Sequence, residues 1–194
     1  ADNVTNFEGI QFLVENPYWE GAKISLYSAG EESIASMPNI KVGKFITQVI
    51  LQNIEVEDID LSNATDLRSA WVQNNPALQK LDLSYSTIWG QGDKETEGNG
   101  TYGSSLMVLG CPILKEIKLP EKNELKAYRI DIECLDALET FDMSNVKMVA
   151  ELSIGDLNKD FNLVYPELTI FYSEDGYAGT YFACSENTFY REST

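Results

Sequence analysis

Histidine is absent from this 194-residue chain. Its absence removes the commonest general base, the Ser-His and Cys-His nucleophile pairs, and imidazole-ligated zinc. Cysteine is scarce: Cys111, Cys134 and Cys184 fit neither a disulfide framework nor a CxxC metal site. Positive charge is sparse too, with 14 Lys+Arg against 31 Asp+Glu and a formal net charge of −17. Such a surface repels phosphate backbones and anionic headgroups, so nucleic acid is not an expected partner. No apolar run approaches a membrane span, so no membrane insertion by this chain is expected. There is no GxGxxG and no P-loop. No signal peptide is visible, and the chain opens Ala1-Asp2-Asn3 without Met. The expectation is an upstream signal or lipid-anchor segment that has been removed.

What is present is 43% hydrophobic residues, enough for one compact domain or one repeat array with a sizeable core. Their arrangement is periodic. In LRSAWVQNNPALQKLDLS, residues 67–84, the trio Leu67, Ala70 and Val72 restarts eleven residues later as Leu78, Leu81 and Leu83. A lone strand does not restart, and an amphipathic helix keeps another period. Backwards by eleven lie Val56, Ile59 and Leu61, then Phe45, Gln48 and Ile50, with Ile34 as the edge of the array. Forwards, the pattern resumes at Gly103, Leu106 and Val108, then at Leu114, Ile117 and Leu119, then at Leu125, Tyr128 and Ile130. After a thirteen-residue step come Leu138, Phe141 and Met143, then Val149, Leu152 and Ile154. Two eleven-residue arcs thus make one 22-residue coil. Positions one, four and six face inward and stack against neighbouring coils.

The two kinds of arc differ at position nine. Asn53, Asn75, Cys111 and, one residue late, Cys134 alternate with Ala64, Ser86, Lys122 and Val146. A buried polar residue at such a bend is expected to bond exposed backbone from coil to coil, because an orphaned buried polar group costs about 1–3 kcal/mol. On that reading Cys111 and Cys134, one coil apart, neighbour each other in the ladder as free thiols.

The arcs LRSAWVQNNPAL and GSSLMVLGCPIL resemble the leucine-rich repeat consensus LxxLxLxx[N/C]xL. Their partners LQKLDLS, VEDIDLS and LETFDMS resemble the second half of the 21–23-residue repeats of secreted and surface proteins of Bacteroidetes bacteria. The resemblance covers residues 34–164, with Gln48, Ala70 and Gly103 as poor leucine substitutes. It implies a β-rich solenoid: a right-handed coil with parallel strands, few helices and one domain over 1–194. Residues 1–33 would be the N-terminal cap, 34–164 the repeats with an insertion near 84–102, and 165–194 a C-terminal cap. In that cap, which contains Cys184, Glu174-Asp175-Gly176 signals a hairpin turn. The resemblance also implies an extracellular or cell-surface location, and ligands on the concave sheet formed by the Asn-bearing arcs.

Positions two, three, five and seven face out of that sheet. Position five reads Val49, Trp71, Met107, Arg129, Ser153; Arg68 and Lys126 fall at position two. The candidate ligand-binding set is therefore Val49, Arg68, Trp71, Met107, Lys126 and Arg129, apolar residues beside cations, as binding surfaces often are. The competing reading is that caps or the insertion fold over this face and make Trp71, Val49 and Met107 plain core. The insertion offers Trp89 and Tyr102 either as a stacking platform or as buried anchors of a surface loop. Two stretches imitate calcium loops, each incomplete: Asp93, Glu95, Glu97 and Gly98 lead to Ser104 at position twelve, and Asp156, Asn158, Asp160, Asn162 and Glu167 have Phe161 in place of the Gly. No metal and no cofactor is expected. Three Asn-x-Thr triplets, at Asn3, Asn63 and Asn99, matter only if the source glycosylates. Without His, catalysis would need a carboxylate pair, as in glycan hydrolysis, and no motif marks one. The expected function is a non-catalytic module binding a protein or glycan. A structural spacer is the alternative, and a carboxylate-based glycan hydrolase ranks third.

Overall fold

The structure is a computed structural model that describes residues 22–28, 35–91, 104–122 and 124–165. It is a parallel β-solenoid of about five turns, with no helix among the described residues. Its strands are numbered β1 to β14 in chain order. One side of every coil contributes to a six-stranded parallel sheet in the order β1 (Ala22–Tyr27), β4 (Ile46–Gln52), β7 (Ser69–Gln73), β9 (Ser105–Leu109), β11 (Leu125–Leu135) and β13 (Val146–Leu157). The sheet therefore begins at 22–27, inside the segment expected to be a cap. The rest of the expected caps, Cys184 with them, and residues 92–103 of the insertion lie outside the described residues.

The opposite side is broken into two-stranded parallel ladders: β2 (Ala35–Ser36) with β5 (Ile54–Glu55), β3 (Ile40–Lys41) with β6 (Ile59–Asp60), β8 (Lys80–Asp82) with β10 (Glu116–Lys118), and β12 (Thr140–Asp142) with β14 (Asn162–Val164). Three of these arcs end in Asp-x-Ser. Asp60, Asp82 and Asp142 each accept a hydrogen bond from the amide two residues on, that of Ser62, Ser84 and Ser144, at 2.8, 3.0 and 2.9 Å. The carboxylate thus closes a local turn that the backbone would otherwise leave open. Ala64 and Ser86, both buried, follow where the chain must turn tightly.

Between the two sides lies one apolar core. Ile24, Val49, Ala70, Leu106, Ile130 and Leu152 form one register row across the sheet; Leu26, Leu51, Val72, Val108, Ile132 and Ile154 form another. They pack against Ile59, Leu81, Ile117 and Phe141 of the broken side. The expected spacing holds for the coils starting at Leu67 and Val149. It slips by one in β4, where Ile46, Val49 and Leu51 are core and Gln48 faces out. The run Val49-Ile50-Leu51 is apolar on both faces, so spacing alone does not choose between registers that differ by one residue, and such a slip exchanges the faces. In β11 the inward strand positions are Ala127, Ile130 and Ile132, two residues on from the expected trio; Leu125 and Ile130 are core as expected, and Tyr128 is only half-buried. Where β11 begins, its pairing with β13 shifts: Leu125 faces Val146 and Lys126 faces Met148, which leaves Lys147 of β13 as the extra residue.

The corner after each sheet strand has a local cause. Asn53, Asn74, Gly110, Cys134 and Asp156 all have φ between 49° and 63°, the left-handed region that Asn, Asp and Gly tolerate best. At Gly110 the conformation and the space agree: an added Cβ would lie 2.5 Å from Asn74 Oδ1. The next position turns inward, as Ile54, Asn75, Cys111 and Leu135. The expected polar ladder is therefore two ladders. Asn53 and Asn74 bond along the outer corner, Asn74 Nδ2 to Asn53 Oδ1 at 2.7 Å and Asn53 Nδ2 to the Ser28 carbonyl at 3.0 Å. Asn75 works inside, its Oδ1 accepting from the amides of Val56, Ala77 and Leu78 at 3.2–3.3 Å. Cys111 and Cys134 do not stack as neighbours: Cys111 is buried, Cys134 is exposed one position earlier in its coil, and both are free thiols. Burial pushes the Cys111 thiol up to about 11.

Candidate functional site

Strand alternation places every second residue of the sheet on its outer face. Three register rows cross that face. The middle row is Ser25, Ile50, Trp71, Met107, Asp131, Ser153. On one side runs Lys23, Gln48, Ser69, Ser105, Arg129; on the other Tyr27, Gln52, Gln73, Leu109, Glu133. In β4 and β7 these rows carry neutral amides and a hydroxyl, linked across strands by Gln48 Nε2 to Ser69 Oγ and Gln52 Nε2 to Gln73 Oε1, both at 3.3 Å; in β11 they carry Arg129 and Glu133.

The structure brings together part of the expected set. Trp71 and Met107 are register neighbours in the middle row, half-buried, with Ile50 on the other side of Trp71. Arg129 lies on the same face in the adjoining row and donates from Nη2 to Asp131 Oδ2 at 2.6 Å. Val49 is a correction: it is core, and Ile50 takes the outward place, for the one-residue slip described above. Lys126 is also displaced from its expected register position. It sits where the register between β11 and β13 shifts, its amide bonded to the Gly90 carbonyl at 2.7 Å. Arg68 stays at position two, before β7 begins, half-buried.

Asp131 is the residue that sequence spacing misplaced, since it counted to position seven with Arg129 at position five. It lies on the outer face yet is only 4% exposed. Arg129 engages its Oδ2, but Oδ1 is buried with no hydrogen-bond partner. Its register neighbour Ser153 donates instead to Glu133 Oε1 at 2.7 Å. In the same row the indole Nε1 of Trp71 is also buried without a partner. The usable sequence signal was the left-handed corner. Counting back from Asn53, Asn74, Gly110 and Cys134 sets the register of every strand and places Ile50, Trp71, Met107 and Asp131 in one row.

The insertion resolves toward its plainer reading where it is described. Trp89 is fully buried, its Nε1 donating to the Ser105 carbonyl at 3.4 Å, so it is core and not a stacking platform. Tyr102 and the calcium-like stretch from Asp93 lie outside the described residues, apart from Ser104. Of the second stretch, Asp156 is an exposed corner residue and Asn158 Oδ1 already accepts the Asp160 amide at 3.0 Å. Glu167 lies outside the described residues. Among the described residues no group of three or more Cys, Asp or Glu is placed to hold a metal ion. No described helix is long and apolar enough to cross a membrane. No family model, curated protein or solved structure matches the chain.

Proposed function

We propose that this chain is a non-catalytic binding module of the leucine-rich-repeat kind, borne on an exported or cell-surface protein, which recognises a protein or glycan through the outer face of its sheet. The observation that carries the reading is the middle row: Ile50, Trp71 and Met107 in adjacent strands, flanked by Gln48, Ser69 and Ser105 on one side and by Gln52, Gln73 and Leu109 on the other. An aromatic centre with a polar rim is the composition of a recognition surface rather than of a solvated coat. The export and family parts rest on the likeness of the arcs to repeats of Bacteroidetes surface proteins.

A structural spacer is the second reading, and the burial of Ile50, Ser69 and Ser105 on the outer face favours it. The test is binding of the labelled chain to a panel of glycans and mucus proteins, repeated with Trp71→Ala and Arg129→Ala. Recognition through this face predicts a specific hit weakened at least about tenfold by Trp71→Ala. Binding that survives both substitutions would locate the ligand elsewhere, and silence across the panel would leave the spacer.

A further inference from the structure

Resting on that reading of the sheet face, we infer that Trp71, Met107 and Asp131 form a subsite for a neutral, polyhydroxylated ligand, a carbohydrate ring. Two polar atoms in one register row lack partners: the Trp71 Nε1 donor and the Asp131 Oδ1 acceptor. Native folds rarely leave such groups unsatisfied, and each one calls for an explanation. Asn75 Nδ2 is a third, at the inner corner of its coil; Trp71 Nε1 and Asp131 Oδ1 differ from it in sharing one row of the outer face. Both are buried from solvent. Met107 stands between them in register. Its unbranched thioether has three rotatable bonds and repacks easily, which makes it the side chain able to give way and open both.

The chemistry of the two vacant groups narrows the ligand. One must be given a hydrogen bond and the other must give one. A hydroxyl does both, and neighbouring hydroxyls of a sugar ring do so on one small rigid body. A cationic group is disfavoured because Arg129 already neutralises Asp131 at 2.6 Å. An acidic group is disfavoured by a net charge of −17. In the flanking rows Ser69 and Gln73 stand beside Trp71, and Arg129 and Glu133, of opposite charge, stand beside Asp131. A peptide strand has less to gain: β7, β9 and β11 are paired on both edges, so no backbone edge is free there for strand addition.

The experiment titrates the full chain calorimetrically with uncharged oligosaccharides of the gluco-, galacto-, manno- and xylo-series. Mucin and its deglycosylated polypeptide are run in parallel. Trp71→Phe keeps an aromatic ring and removes the N–H; Asp131→Leu removes the acceptor together with the Arg129 pair. The expected result is saturable binding to a neutral sugar series, weakened about tenfold by Trp71→Phe and about tenfold or more by Asp131→Leu. Asp131→Leu also breaks the Oδ2 pair with Arg129, so a lower melting point reports that pair and not Oδ1. Binding unchanged in both variants would overturn the inference; if Trp71→Ala still abolishes it, the sheet-face reading stands alone. Binding to the deglycosylated polypeptide only would likewise leave the face and remove the sugar. No binding to any probe would remove both.

Discussion

The two sides of the coil carry the same eleven-residue spacing but are not built alike. On one side six strands pair without interruption, so side chains fall into rows held in register by backbone hydrogen bonds. On the other side pairing stops after two strands each time, and the chain relies on local devices: Asp-x-Ser turns and exposed ion pairs such as Lys80 with Asp82 and Glu116 at 3.1 and 3.3 Å. The broken side also carries irregularities. Lys118-Leu119-Pro120 stands where the other arcs have Asp-x-Ser, and Ser84 leads into the insertion. Continuity gives positional precision, and interruption gives tolerance. A recognition row belongs on the first kind of surface.

That contrast makes graded claims. The largest effect should come from the continuous side's inner corner. Asn75→Ala would strand the amides of Val56, Ala77 and Leu78, at about 1–3 kcal/mol for each one left dry. Urea unfolding should show a loss of about 3 kcal/mol or more, and Asn75→Asp, which keeps the acceptor, should lose less. A loss under about 1 kcal/mol for Asn75→Ala would mean that the corner is not what holds the coils in step.

A smaller effect belongs to the broken side. Burial pushes the Asp82 carboxyl up, but the Ser84 hydroxyl and amide and the Lys80 ammonium together hold it below its ordinary value. The folded chain therefore binds fewer protons at this site than the unfolded one. The stabilisation is present above the ordinary carboxylate pKa and is lost as pH falls through it toward the depressed folded value. Asp82→Ala should cost about 1 kcal/mol at pH 7. The gap between variant and wild type should close below about pH 4. A gap that stays constant from neutral to acid pH would show that the turn does not depend on the charge. The smallest effect should be Lys80→Ala, no more than about 0.5 kcal/mol, because the ammonium side chain is 43% exposed and its pairs are screened. Unfolding at low and high salt checks it: the difference should shrink with added salt.

The alternation of arcs, the parallel coil and its core were legible because apolar spacing is a tertiary signal written locally. Leu67, Ala70, Val72 and Leu78, Leu81, Leu83 sit where their spacing put them. Legibility failed where both faces of a strand are apolar, at Val49-Ile50-Leu51, and at the start of β11, where the inward spacing moves on by two residues, to Ala127. Each error moved a site residue: Val49 went outward in place of Ile50, and Arg129 took the row that belongs to Asp131. The missing partners of Trp71 and Asp131 were beyond sequence reasoning altogether. That of Asp131 depends on Ser153 bonding Glu133 and on Arg129 engaging Oδ2 and not Oδ1, choices made among several acceptors in three dimensions.

The left-handed corner has a direction in time as well as in space. The amide of Ser28 donates to the Gln52 carbonyl, that of Asn53 to Gln73, that of Asn74 to Leu109, and that of Gly110 to Glu133, each at 2.8–3.1 Å. Every one of these bonds runs from an earlier coil to the next. A coil leaving the ribosome therefore stays one acceptor short at its corner until its successor has been made. A chain halted partway would present that open corner at its newest coil, wherever synthesis stopped.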